Sequence, residues 1–249
     1  MKEIQIVILA GGLGKRMGRQ DLPKVLTPFK GQPLIQHLLS AIKESGVDPQ
    51  VAIVVGQMSE KVKAALGSEY IYILQPEQLG TGHAVAVTKT ALRRKAKNIM
   101  VLNGDHPLVS AATIKKIAQT HLAENKVLTM ATTRVDDFSD WRQDFYSFGR
   151  IVRDPETNKI IGIVEKKDAT PEILQLREVN PAYFCFQADW LWPHLAKLKN
   201  DNAQSEYYLT DLVDFAFKEN QEIASVAIAA KEALGINTAE ELKLLEKLF

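Results

Sequence analysis

One cysteine, Cys185, stands in 249 residues, so no disulfide can form within the chain and a reducing compartment, the cytoplasm, is expected. No apolar run reaches ~18 residues, the length a membrane-spanning helix needs, and the N-terminus lacks the apolar stretch and cleavage site of a secretory signal. Neither sign of charge dominates. Against 30 Asp and Glu there are 31 Lys and Arg, a formal net charge of +1, which sets up no global field for nucleic acid or an anionic membrane. Any phosphate site must therefore be local. The five histidines and one cysteine form no cluster with zinc-ligand spacing. Nothing repeats at a fixed period and no segment is low in complexity.

What is present reads as alternation. "IQIVILA" (4–10) is a continuous apolar run of the kind buried parallel strands show. "PLIQHLLSAIKESG" has helical spacing between an opening Pro33 and a stopping Gly46. "VAIVVG" predicts the next strand, "SEKVKAALG" a short helix capped by Ser59, "YIYILQP" a strand, and "GTGHAVAVTKTALRRKA" a helix opened by glycines. "NIMVLNGDHPL" predicts a strand running into a polar turn, followed by a helix from Ser110 to about Glu124 and the strand "VLTMATTRV". This order implies an α/β fold: a mostly parallel, Rossmann-like sheet with helices on both faces and ligands at the carboxyl ends of the strands. After Val135 the rhythm changes. "SFGRIVRD", "KIIGIVEKK" and "EVNPAYFCF" are strand-like, and predict an antiparallel insertion near 138–188 within a single 1–249 domain. A helical stretch that includes "EYYLTDLVDFAF", one more strand ("IASVAIA") and a final helix follow.

At the first strand end the chain reads "ILAGGLGKRM" (8–17), and after five more residues "PKVL" (23–26). A Walker A loop is excluded, because Leu9 stands five residues before Gly14 and Arg16 follows Lys15. A dinucleotide fingerprint is excluded as well, since Met17 stands where its third glycine belongs. The loop is flexible and positive without being either machine.

"LAGGLGKRM" with "PKVL" resembles the signature of the sugar-1-phosphate nucleotidyltransferases. "LQPEQLGTGHAV", "GDHPL", "FGRI", "GIVEKKDA", "NAQSEYYLTD" and "GIN", in that order over essentially the whole chain, resemble one branch: the N-terminal uridyltransferase domain of bacterial N-acetylglucosamine-1-phosphate uridyltransferases. The resemblance implies the nucleotide-diphospho-sugar transferase fold. It implies as substrates UTP and a sugar 1-phosphate, Mg²⁺ as cofactor, a role in cell-wall precursor synthesis, and neither nucleic acid nor membrane as partner. A homo-oligomer is left open. Bifunctional members of the branch continue into a β-helix of hexapeptide repeats, which these residues lack. The chain is thus expected to be either a piece of a longer enzyme or a protein that only transfers nucleotides.

The implied reaction is attack of a sugar-1-phosphate oxygen on the α-phosphorus of UTP. The nucleophile's second pKa is near ~6, so it is mostly a dianion at neutral pH and needs no general base. The task is to bring two polyanions together in line, with fixed positive charge and backbone amides. By resemblance, Leu9, Ala10, Gly11 and Gly12 lie along the nucleotide. Arg16 grips the departing phosphates with its planar fork and Lys24 reaches the α-phosphate, while Lys15 is either a solvated loop lysine or a further contact. Asp105, read on its own, is a turn aspartate capping the helix that follows. The resemblance makes it a Mg²⁺ ligand with Asn237 of "GIN", beside Asn103 and Gly104.

Gln75 and the turn through Gly80 and Thr81 would read the base. A glutamine amide alone can flip to suit cytosine, so backbone near Gly80 would have to fix the choice. Gly149, Glu165 and Asn180 resemble sugar-binding residues, with Tyr208 and Thr210 beside an acyl group. Composition alone would leave Glu165, next to Lys166 and Lys167, as an ordinary surface charge. His83 and His106 read as bystanders, and Cys185, Trp190 and Trp192 as packing residues. Two departures bear on the sugar: Asn103 stands where the branch has an aromatic, and "NPA" (180–182) replaces "NTG". An aromatic wall is lost, and with Pro181 a backbone N–H.

Overall fold

The computed structural model describes residues 1–12, 14–17 and 21–248, apart from the Lys15 side chain. The chain runs β1 (Lys2–Ala10), a small hairpin of β2 (Pro28–Phe29) and β3 (Gln32–Pro33), α1 (Leu34–Ser45), β4 (Ala52–Val55), α2 (Ser59–Leu66), β5 (Ile71–Leu74), α3 (Thr81–Ala86), α4 (Lys89–Leu92), β6 (Ala96–Asn103), α5 (Ala111–Glu124) and β7 (Leu128–Arg134). Then come β8 (Arg150–Arg153), β9 (Ile160–Val164), α6 (Pro171–Leu174), β10 (Glu178–Val179), β11 (Phe184–Gln187), α7 (Ala188–Leu195), α8 (Asp211–Lys218), β12 (Ile223–Ala227) and α9 (Ala239–Leu248).

The main sheet has the order β5-β4-β1-β6-β11-β7-β10-β8-β9, with β12 added on the other side of β7. β5, β4, β1 and β6 pair parallel in register, and β12 is parallel to β7. Of the expected insertion, β8, β9 and β10 pair antiparallel and reach the sheet through β7. The last strand of that stretch, β11, lies instead in the middle of the main sheet, antiparallel to both β6 and β7. Its residues Phe184, Cys185 and Phe186 are wholly buried there, and burial pushes the Cys185 thiol well up.

The continuous apolar character of β1 has a direct cause: both its faces are covered. Ile4, Ile6 and Ile8 pack with Leu38, Ile42, Ile114 and Ile117 of α1 and α5. Val7 packs on the opposite face with Val85 of α3, Leu191 of α7 and Leu212 of α8. This is the helix-sheet-helix layering expected of an α/β chain.

Three local readings are corrected. Ser59 is the first helical residue of α2 and not its cap, because the turn already begins at Gly56: Ser59 N donates to the Gly56 carbonyl at 3.0 Å and Lys61 N to that of Met58 at 3.1 Å. The glycine-opened helix after the fifth strand breaks into α3 and α4. "EYY" (206–208) lies before α8 as irregular backbone.

Candidate active site

Strand ends supply the site. Gly11 and Gly12 follow β1, Gln75 follows β5, Asn103 ends β6, and Asp105 lies in the turn beyond it. With Leu9, Ala10, Lys24, Gly80, Thr81 and Asn237, they line one cleft of about 380 Å³ at the carboxyl edge of the parallel strands. Gly104 lies behind the cleft. A Cβ there would meet the Leu9 carbonyl oxygen and Val25 at 3.1 Å each, so the turn closes on β1 only without a side chain.

Lys24 is the electrostatic centre. Its ammonium donates to Asp105 Oδ2 and, at 2.9 Å, to Asn237 Oδ1. Arg16, exposed at the rim, donates weakly to the same Asn237 oxygen at 3.4 Å. The Lys15 side chain lies outside the described residues. Burial works to raise the Asp105 pKa, but the charges of Lys24 and His106 and the Lys24 hydrogen bond outweigh it and leave the carboxyl below its ordinary value. Asp105 is not the cap of the helix that follows, since the Ser110 hydroxyl accepts from Thr113 N at 3.1 Å and fills that role.

A hard cation fits this corner. Two protein oxygens, one anionic and one neutral, already converge on a positive group, the Lys24 ammonium, and Mg²⁺ is commonly held by a few such oxygens with phosphates and water.

His106 is structural. Tyr183 donates its hydroxyl hydrogen to the Glu232 carbonyl at 2.7 Å, so His106 Nδ1, 2.6 Å from the same oxygen, is the donor in their bond. A Cβ on Gly235 would sit 2.6 Å from His106 Nε2, which accounts for the glycine of "GIN".

At the base end, Gln75 is buried and its Nε2 donates to the Gly80 carbonyl at 3.2 Å, facing His83 Nδ1 at 3.2 Å. Gln78 donates to the Gly11 carbonyl, clamping the glycine loop. Gly80 has φ +101°, and a Cβ on it would lie 2.7 Å from the Tyr207 carbonyl oxygen. The Thr81 hydroxyl accepts from Leu209 N at 3.1 Å, so it ties the 207–210 segment to the base end.

Among the residues expected at the sugar, Glu165 accepts from the Thr210 hydroxyl at 3.1 Å, and the Asn180 N–H donates to the Gly149 carbonyl at 2.9 Å. A Cβ on Gly149 would meet Glu165 Oε1 at 3.2 Å. Glu165 thus turns inward, away from Lys166 and Lys167. Burial raises its pKa, with the Thr210 hydroxyl opposing and Asp168 adding to the rise. Asn180 Oδ1 accepts from Ala182 N at 2.9 Å, a turn with Ala182 at φ +61°. Asn103 Nδ2 donates to the Pro181 carbonyl at 3.3 Å and joins this group to the end of β6. The Tyr208 hydroxyl accepts from Gln204 at 2.7 Å.

Sequence reasoning missed what carries "FGRI". The buried Arg150 donates to the carbonyls of Phe148 and, at 3.1 Å, Tyr146, fixing the backbone that leads into Gly149. Phe148 also lines the cleft, whereas Gly149, Glu165, Asn180, Tyr208 and Thr210 are not among its lining residues. An arginine after an aromatic and a glycine carries no such signal by itself.

The MobA-like NTP transferase domain family matches residues 6–214. Bifunctional protein GlmU of Clostridium perfringens is 36% identical over 243 residues, 97% of this chain and 51% of the relative. Its namesake in Desulfotalea psychrophila is 35% identical over 246 residues, 98% of this chain and 70% of the relative. That of Enterococcus faecalis is 36% identical over 250 residues, all of this chain and 52% of the relative, so the chain spans about half the length of most of these proteins. The solved structure of UDP-glucose pyrophosphorylase complexed with UDP-glucose shares the fold, with a TM-score of 0.78 at 16% identity over 99% of this chain and 98% of that one. The chain belongs to the MobA-like NTP transferase family, as a nucleotidyltransferase domain of the kind that sugar-1-phosphate enzymes carry.

Proposed function

We propose that this domain transfers UMP from UTP to N-acetylglucosamine 1-phosphate, yielding UDP-N-acetylglucosamine and pyrophosphate. The observation that carries the reading is that Gln75 and Gly80 line one cleft with the Lys24–Asp105–Asn237 group. Asn103 of the same cleft bonds the Pro181 carbonyl, next to Asn180, and the Glu165–Thr210 pair, Gly149 and Asn180 are not among its lining residues. A base reader beside a cation between two oxygens is what transfer of a nucleotidyl group requires. The identity to proteins named bifunctional GlmU supports it.

In the reaction, an oxygen of the sugar phosphate bonds to the α-phosphorus, the bond from that phosphorus to the bridging oxygen breaks, and pyrophosphate leaves with the electron pair. Lys24 would turn from Asp105 to the α-phosphate, and Arg16 would hold the departing phosphates. Asp105 and Asn237 would hold Mg²⁺, which when bound neutralises phosphate charge. Glu165 and Thr210 would bond sugar hydroxyls, and Gly149 would let the ring approach the backbone. No side chain has to remove a proton. The proposed setting is the cytoplasm, where UTP is made available to such enzymes.

A second reading, the same reaction on glucose 1-phosphate, is favoured by one observation: Asn103 and "NPA" are joined to each other and offer no aromatic wall for an acyl group. Pyrophosphate release measured over a panel of nucleoside triphosphates and sugar 1-phosphates tests both. Highest kcat/KM with UTP and N-acetylglucosamine 1-phosphate is expected, and a higher value with glucose 1-phosphate would establish the second reading instead.

A further inference from the structure

The two side-chain oxygens on Lys24 come from distant parts of the chain, and one buried hydroxyl ties those parts together. Asp105 lies in the turn after β6, and Asn237 between β12 and α9. Between the stretches 103–106 and 232–237 there is, among the described residues, one direct hydrogen bond, from Ile236 N to the Asp105 carbonyl at 3.0 Å. Tyr183 adds a second link. Its hydroxyl lies 2.6 Å from Nδ1 of His106, the neighbour of Asp105, and 2.7 Å from the Glu232 carbonyl. A backbone carbonyl only accepts, so the single hydroxyl hydrogen goes to Glu232 and Nδ1 is the donor, whatever the state of Nε2. The link is anchored at every end. Tyr183 is wholly buried on the α1 and α5 face of the sheet, and its carbonyl accepts from Ala131 N of β7 at 2.9 Å. The His106 ring meets it edge-on, with centroids 5.4 Å apart, and abuts Gly235. The Glu232 carboxylate accepts from Ser110 N at 3.1 Å and from the Ser110 hydroxyl at 3.0 Å, so the residue that Tyr183 bonds is held from a second side.

We propose that Tyr183 is a positioning residue for the Asp105–Asn237 corner: its hydroxyl fastens the two segments to the central strands and so sets how far apart their oxygens stand. The inference rests on the reading of that corner as the Mg²⁺ site. A cation with few protein oxygens draws affinity from their placement beforehand, because an oxygen that must first be ordered costs conformational entropy on binding. Tyr183 touches neither the cation nor the nucleotide in this scheme. It acts on spacing, through His106 on one side and the Glu232 carbonyl on the other.

The test is Mn²⁺ binding to the protein with α,β-methylene-UTP, which cannot release pyrophosphate, read from the electron paramagnetic resonance of free Mn²⁺. Turnover at rising Mg²⁺ is the second readout, and both are taken below the melting temperature of every variant. Tyr183→Phe keeps the ring and its edge contact with His106 but removes both hydrogen bonds. Its Mn²⁺ dissociation constant is expected to rise about tenfold, the effect of losing a group that orients metal ligands. At saturating Mg²⁺ its kcat should return to within about twofold of the parent's, since the chemistry itself is untouched. Phe184→Leu loosens the same strand on its opposite face and should leave the Mn²⁺ titration as it is. A parent-like titration in Tyr183→Phe, beside a weakened Asp105→Asn, overturns this inference alone. Equal weakening in Phe184→Leu overturns it too, because loosening the strand would then suffice. Should Tyr183→Phe fail to fold, Glu232→Ala decides: it frees the 232–237 segment from Ser110, a rise of about threefold is expected, and a parent-like titration overturns the inference. If Asp105→Asn binds Mn²⁺ as the parent does, the metal reading falls, and this inference with it.

Discussion

The Lys24 ammonium donates to Asn237 Oδ1 at 2.9 Å across 213 positions of sequence, and to Asp105 across 81. A lysine held between a carboxylate and an amide oxygen is the cation that the proposed reaction would turn toward the phosphate.

Removing that cation should cost rate more than fold. Lys24→Ala and Arg16→Ala are each expected to lower kcat about 10²–10³-fold, since a contact that strengthens as charge moves onto the leaving group acts on the transition state. Circular dichroism should show the native fold in both. Turnover near the parent's in both variants would remove them from the chemistry.

Asp105→Asn should raise the Mg²⁺ concentration needed for half-maximal rate, and EDTA should abolish activity in the parent. An anionic oxygen is lost from a corner where, among the described residues, Asn237 is the other oxygen on Lys24. A Mg²⁺ titration identical to the parent's would leave Asp105 as no more than the partner of Lys24.

Asp211, at the start of α8, has its pKa pushed up to about 6 by burial and by the charges of Asp214, Glu165, Asp201 and Asp168. The unfolded chain releases this proton near pH ~4, so between those values the folded state binds more protons and stability falls as pH rises, staying low above about 6. Asp211→Asn should remove that fall. After discounting for its partial exposure, a gain of about 1 kcal/mol is expected at pH 7 and none below pH ~4, read from thermal melts across the range. Equal gains at both ends would acquit the charge.

Gly80→Ala should destabilise the fold by about 1–3 kcal/mol, for φ is +101° and the new Cβ would press on the Tyr207 carbonyl oxygen. Its KM for UTP should rise as well, because the same carbonyl of residue 80 orients Gln75. A melting temperature like the parent's would show that the turn can relax.

N-acetylglucosamine 1-phosphate should be used better than glucose 1-phosphate, but by a modest margin. Glu165 and Thr210 remain to bond the sugar, whereas a lost apolar contact is worth only ~1–3 kcal/mol. Asn103→Tyr should widen the margin by restoring the wall. The ratio of kcat/KM values for the two sugars, in parent and variant, decides it.

How much of this was legible beforehand depends on the range of the interaction. Strand-helix alternation and the glycine loop are local patterns that periodicity and composition carry, while the lysine of "PKVL" and the aspartate at a strand end were marked out by resemblance to a family's ordered motifs. Three things were not local. Phe184–Gln187 reads as one more strand after the insertion, but its place between β6 and β7 follows from which sheet edges were free, which a period of two does not encode. Glu165 sits among lysines in sequence yet turns to Thr210, because the packing of α8 against β9 brings a hydroxyl to its inner side and leaves Lys166 and Lys167 in solvent. His83 looks like a helix-start residue, and only the fold of the turn 75–83 sets its ring nitrogen against Gln75. The sequence by itself determined which chemical groups the protein has and the strand ends that bear them. Tertiary structure decided which of those groups meet, since contacts across many tens of residues depend on strand order and packing and not on the residues beside them.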